Sequence, residues 1–217
     1  MLVKEAVAIT GGLSKVGKFH IAGTGEPIRS FNLPSDLCIT GAKLARIPGT
    51  SCSKCYTFSG RYPIPNVQKA MRSRFSKLDA PRWVEAMTTL ILRQSPSYFR
   101  WFDSGDLQPR MLPRIVEICR KTPATKHWLP TQERKMVFDF VNAGVTIPDN
   151  LTIRFSATKI GAKAKPERHF ATSAVNGSGG VDCVLTIAQI RGKSVKTCGD
   201  CRRCWDPNTK HVNYKLH

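Results

Sequence analysis

Acidic residues are scarce in this 217-residue chain: 15 Asp and Glu stand against 34 Lys and Arg, for a formal charge of +19. The imbalance selects anionic partners, nucleic acid first among them, over basic ones. No apolar run approaches the ~18 residues a bilayer span needs, so no membrane partner is expected. The stretch from Met1 to His20 lacks the continuous apolar core of a signal peptide, which predicts a cytoplasmic protein. Repeats and low-complexity tracts are missing, and the histidines form no H-x3-H pair. Disorder is excluded by what remains. Apolar residues make up 41% of the chain and gather into helix- and strand-like patterns, as in an ordinary globular domain.

The pattern predicts one domain over 1–217, with an arm or short strands over 1–35 and a cysteine-bearing loop from Asp36 to Arg61. Helices are expected over Asn66–Leu78 (Asn66 as N-cap), Pro81–Arg93, Pro109–Lys121 and Glu133–Ala143, where apolar residues recur at helical spacing. Tyr98–Phe102, His127–Leu129, Leu151–Ser156 and Asp182–Ile187 read as strands. Alternation of strand and helix implies parallel strands joined by helical crossovers. The units are too few for a closed eight-stranded barrel, so the predicted fold is α/β: a partial, open parallel barrel over 36–190. A cysteine-rich metal-binding tail follows over 191–217. The basic, then Gly/Ser-rich segment from Lys159 to Gly180 reads as a loop.

Eight cysteines in a chain without secretory features point to metal, not disulfides. Cys198, Cys201 and Cys204 stand at two-residue spacing, the run that wraps one corner of a [4Fe–4S] cluster, with Cys183 as the natural fourth ligand. A four-cysteine zinc site is the rival. Cys38, Cys52 and Cys55 form a second set, able to hold a cluster with one open iron, or to complete a zinc site with the C-terminal run. Cys119, on the apolar side of a helix, reads as a core thiol.

The segments Ser-Cys-Ser-Lys-Cys-Tyr (51–56), Phe-Asp-Ser-Gly-Asp-Leu (102–107), Cys-Gly-Asp-Cys-Arg-Arg-Cys-Trp (198–205) and Val-Asn-Tyr-Lys-Leu-His (212–217) resemble those of the phage gene product 88 family. That family in turn is similar to radical S-adenosylmethionine enzymes, which carry a three-cysteine loop after the first barrel strand and a Gly-Gly-Glu segment after the second. The resemblance implies that Asp103-Ser104-Gly105-Asp106 occupies the second of these places. Two departures argue against S-adenosylmethionine itself: the cysteine spacing is C-x13-C-x2-C, and the aromatic Tyr56 follows the last cysteine. A phage origin would make the compartment the host cytoplasm.

Asp103 and Asp106 are the candidate catalytic groups. Ser104, Gly105, Gln132 and Ser156, at strand ends facing the same mouth, are candidates for substrate contact; helix capping is the competing role. Lys69, Arg72, Lys163, Lys165, Arg168, Arg202 and Arg203 are candidates for phosphate contact. The functional expectation is redox or radical chemistry on or near nucleic acid, with one or two [4Fe–4S] clusters. A non-enzymatic zinc- or cluster-stabilised nucleic-acid binder and a phage regulator that binds a host protein are the alternatives.

Overall fold

The computed structural model describes residues 1–20, 27–165, 167–185 and 198–216, and of 16–20 and 27 the backbone alone. The chain opens with a helix, α1 (Val3–Thr10), closed by Gly11 in the left-handed conformation. Ala6 packs against Ala86 and Leu90 of α4 (Trp83–Gln94). The expected arm is therefore a docked helix, followed by an antiparallel hairpin of β1 (Ser14–His20) and β2 (Pro27–Phe31). Short, small-residue helices give little periodic signal of their own, and here tertiary packing decides.

From β2 onward the sheet is parallel: β3 (Tyr98–Trp101), β4 (Lys126–Thr131), β5 (Leu151–Ser156), β6 (Ala171–Val175), then β8 (His211–Tyr214), with two-residue β7 (Val181–Asp182) outside it. Eight strands in the order β1-β2-β3-β4-β5-β6-β8-β7 make a mixed α/β sheet that does not close. Crossovers run through α3 (Pro65–Ser76) and α4, then α5 (Met111–Lys121), then α6 (Arg134–Asn142). The cysteine loop between β2 and α3 contains a further short helix, α2 (Ile39–Leu44).

Helix starts differ from expectation by a residue or two. Pro65, not Asn66, opens α3, because proline's fixed φ suits the first turn. Arg82 and Arg110, both at positive φ, bend the chain just before α4 and α5, which delays those helices past Pro81 and Pro109. The larger correction lies between Lys159 and Gly180. There Ala-Thr-Ser-Ala-Val forms β6, paired on one side with β5 and on the other with β8. Backbone bonding on both sides outweighs its weak apolar pattern. The strand expected over Asp182–Ile187 is limited to β7 among the described residues; its end at Ile187 lies outside them, as do Arg191, Lys193 and Lys196.

Side chains alternate between two sheet faces. Phe31, Phe99, Trp101, Leu129, Ile153 and Phe155 point into one core with the apolar sides of α4, α5 and α6. Cys119 is fully buried there, as expected. The opposite face carries a second cluster: Ile28 and Trp128 meet Trp205, Cys198 and Cys204. Tyr98, Arg100, Thr152 and Arg154 occupy the same alternate positions of their strands.

Candidate functional site

The first cysteine set sits at the C-terminal edge of the parallel strands. Cys38 occupies the N-cap of α2, while Cys52 opens and Cys55 closes a 3-10 turn. A Cβ built on the buried Gly41 would lie 3.6 Å from the sulfur of Cys38 and 3.6 Å from that of Cys52, so glycine leaves the two thiols facing one space. Cys55 Sγ is 3.0 Å from Thr57 Oγ1. Burial pushes the Cys38 thiol above its ordinary range, with Asp106, the other two cysteines and Glu133 adding to the rise. Burial, then Cys55, Asp106 and Glu133, push Cys52 up to about 11. Cys38 and Cys52 thus face one poorly solvated pocket, within electrostatic reach of Cys55, Asp106 and Glu133.

Both carboxylates are fixed. Asp106, after β3, accepts from Thr131 Oγ1 at 2.6 Å, Leu107 N at 2.7 Å and Gln132 N at 2.8 Å. Burial nonetheless raises it to about 7. Glu133 accepts from the backbone and hydroxyl of Thr40 at 2.7 and 2.8 Å, which ties the first turn of α2 to the end of β4. Ser51 ties the same loop to the end of β5 through Ala157 O and Thr158 O, each at 2.8 Å.

Asp103 lies apart from that pocket in its bonding. Phe102, at positive φ, turns the chain so that Asp103 pairs with Arg100 and accepts from Tyr62 Oη, while Tyr56 Oη donates to its carbonyl. The Arg100 guanidinium also lies 4.4 Å over the Trp128 ring. Trp128 meets Trp205 at 5.1 Å between centroids. A continuous polar and aromatic bridge therefore runs from the residue after Cys55 to the residue after Cys204.

The second cysteine set lies on the sheet face opposite the helices. Cys183 follows β7, and its thiol hydrogen-bonds that of Cys198; both feel Cys204, and Cys198 also feels Cys201. Burial pushes Cys204 up to about 11, against the pull of Tyr214, whose hydroxyl lies 3.2 Å from its sulfur, and of Arg154 and Arg100. Trp205 anchors the turn by donating to Phe99 O at 2.9 Å, while Thr152 Oγ1 donates to Trp205 O at 2.7 Å. Beneath lies Arg154, with no exposed surface. Its guanidinium donates to Thr172 O, Thr209 O, Arg203 O and Asp206 O at 2.9–3.3 Å. Among the described residues no carboxylate stands within ion-pair distance of it, and its Nε has no partner. The Asp206 side chain, which feels Arg154, is engaged by Thr209 and Asn208.

The structure brings Cys38 beside Cys52 and Cys183 beside Cys198, with Cys55 within electrostatic reach of the first pair and Cys201 and Cys204 within reach of the second. Among the described residues, no three His, Cys, Asp or Glu side chains are arranged to hold a metal ion as they stand. Ser104 and Gly105 face inward: Ser104 Oγ donates to Leu33 O at 2.9 Å, and a Cβ at Gly105 would stand 2.6 Å from Leu33 Cβ. Gln132 and Ser156 are both engaged by Arg134, Gln132 through its side chain and Ser156 through its carbonyl. Lys69 is exposed on α3, where Arg72 pairs with Asp36 at 2.8 Å. Arg202 donates to Gly199 O and Cys201 O, and Arg203 to Asp182 O, so both brace the cysteine turn. Lys163, Lys165 and Arg168 line a separate cavity. Sequence reasoning missed Arg100 and Arg154. Their signal was available, as basic residues at alternate positions of otherwise apolar strands.

The sequence model for gene product 88 matches residues 13–207. No curated protein and no solved structure matches the chain.

Proposed function

The chain belongs to the gene product 88 family, and from that premise we propose that it is a phage iron–sulfur protein acting on or near nucleic acid. Cys183, Cys198, Cys201 and Cys204 hold one [4Fe–4S] cluster. Cys38, Cys52 and Cys55 would hold a second, and Asp106 and Glu133 are the carboxylates whose fields reach Cys38 and Cys52. Such clusters supply one-electron chemistry when bound. The radical-S-adenosylmethionine-like partial barrel is the finer reading of the open parallel sheet. It rests on the order strand, cysteine loop, strand, Asp103–Asp106 segment.

One observation carries the proposal: the buried Arg154 guanidinium, whose field reaches the Cys204 thiol, has no carboxylate within ion-pair distance among the described residues, and Cys204 interacts in turn with Cys183 and Cys198. A buried charge needs a counter-charge. Neutral thiols supply none, whereas thiolates holding a [4Fe–4S] cluster would supply negative charge, on Cys204 among them. Arg100, whose field also reaches Cys204, adds to the same stabilisation. Around this centre the chain's own residues have separate tasks. Trp128 and Trp205 exclude water, Tyr214 donates to the Cys204 sulfur, and Glu133 and Ser51 hold the other cysteine loop against the strand ends.

The test is anaerobic purification with iron, sulfide and zinc quantified beside the visible spectrum. Brown protein with ~8 irons supports two clusters and ~4 supports one. Colourless protein with stoichiometric zinc after anaerobic reconstitution overturns the redox reading. It leaves a binding module in which metal supplies folding energy, a role favoured by the packing of Cys198 and Cys204 among Trp128 and Trp205.

A further inference from the structure

β5 is followed by a loop instead of a helix, so the helix-side face of β5 and β6 is left open beyond α6. A cavity of about 530 Å³ lies there, within the range of sites for small organic ligands. Its walls carry Arg134, Lys163, Lys165 and Arg168 against Glu167, and its floor is aromatic. Phe138 and Phe155 line it and pack at 5.4 Å between centroids, with Phe170 behind them at 5.0–5.9 Å.

The cations fall into two kinds. Arg134 is locked: it pairs with Glu167 at 2.7 Å, donates to Ser156 O at 2.9 Å and lies 5.2 Å over the Phe155 ring. Arg168 lies 4.7 Å over Phe138. Two guanidinium groups held over aromatic rings bring cationic and aromatic surface to one cavity, the combination of groups on which bases stack. Lys163 and Lys165 are exposed and make no ion pair among the described residues. They are mobile point charges suited to a phosphate. An inorganic phosphate would leave the aromatic part of the cavity unused, and duplex backbone would not enter it.

We propose that this cavity binds the phosphate monoester of a single nucleotide, with the base against the Arg134 and Arg168 planes and the phosphate on Lys163 and Lys165. The site deepens the nucleic-acid part of the proposed function, on which it rests; it does not depend on the clusters. The same chemistry comes from a free nucleotide or from the 5′-phosphorylated end of a strand.

The test is calorimetric titration of the full chain with adenosine 5′-monophosphate, adenosine and inorganic phosphate, followed by competition with a short single strand with and without a 5′-phosphate. The monophosphate should bind at least about tenfold tighter than adenosine or phosphate alone, a difference of about 1.4 kcal/mol. The double variant Lys163→Gln/Lys165→Gln should lose about tenfold or more, while Lys4→Gln/Lys121→Gln, at exposed lysines outside the cavity, should bind as the parent does. Competition by the 5′-phosphorylated strand alone identifies a strand end as the ligand; competition by neither strand identifies a free nucleotide. Equal binding of adenosine and its monophosphate, equal losses in both double variants, or no binding overturns the site. The visible spectrum of each variant is read in parallel, so failure of the cavity is distinguished from failure of the cluster assignment.

Discussion

Arg154→Met removes a buried charge while nearly preserving chain length, and Arg154→Lys keeps the charge while losing most of the carbonyl bonds. Three of the four carbonyl contacts lie at 3.0 Å or less. At about 1 kcal/mol net for each bond, either variant should lose about 3 kcal/mol of folding stability. The two should part company on metal. Two unit charges interact by about 4 kcal/mol at contact for an effective dielectric near 20, and by half that at twice the distance. Losing a positive neighbour of a negatively charged cluster should therefore weaken its retention by about 2 kcal/mol, roughly thirtyfold in rate of loss. Iron per chain and the rate of bleaching by a chelator measure this directly. Met should bleach about thirtyfold faster than the parent, with Lys close to the parent. If Met and Lys hold the same iron and bleach at the same rate, Arg154 serves the carbonyls alone and the counter-charge reasoning is wrong.

Cys183→Ser should remove about four irons per chain, whereas Cys119→Ser, changing a buried thiol in the helix core, should leave iron content unchanged; equal iron in both would remove Cys183 from the cluster. Gly105→Ala places a methyl 2.6 Å from Leu33 Cβ and 2.8 Å from its carbonyl oxygen at φ +84. It should cost about 2 kcal/mol or more, read as a lower denaturation midpoint, and a midpoint equal to the parent's would refute the close approach. His127 is fully buried and its pKa falls to about 3 because burial disfavours the imidazolium. The neutral ring contributes stability above its unfolded value near 6.5 that is lost as pH falls below it, by up to about 1.4 kcal/mol per pH unit. His127→Phe should flatten the fall in urea midpoint between pH 6.5 and 4.5, and an unchanged slope would show that another group carries it.

What was legible in the sequence was what local chemistry dictates. Leu151–Ser156 begins and ends where its apolar, β-branched pattern says, and α5 carries Leu112, Ile115, Val116 and Cys119 into the core as its spacing requires. Cys183, singled out by ligand arithmetic as the partner of the C-terminal run, hydrogen-bonds Cys198 of that run. The misses share a cause in long-range pairing. Ala171–Val175 has little apolar signal and becomes a strand because β8, from forty residues later, hydrogen-bonds it. Ser104 resembled a site hydroxyl, but the partner that occupies it, Leu33, lies 71 positions away. Arg100 and Arg154 were the instructive oversight. A basic residue inside a buried strand is costly enough that it must have a reason, and alternation alone puts both on the sheet face away from the helices. The four-cysteine set covers that same face. Both arginines act on Cys204, so the improbable basic residues of these strands mark in the sequence itself the face that the C-terminal cysteines cover.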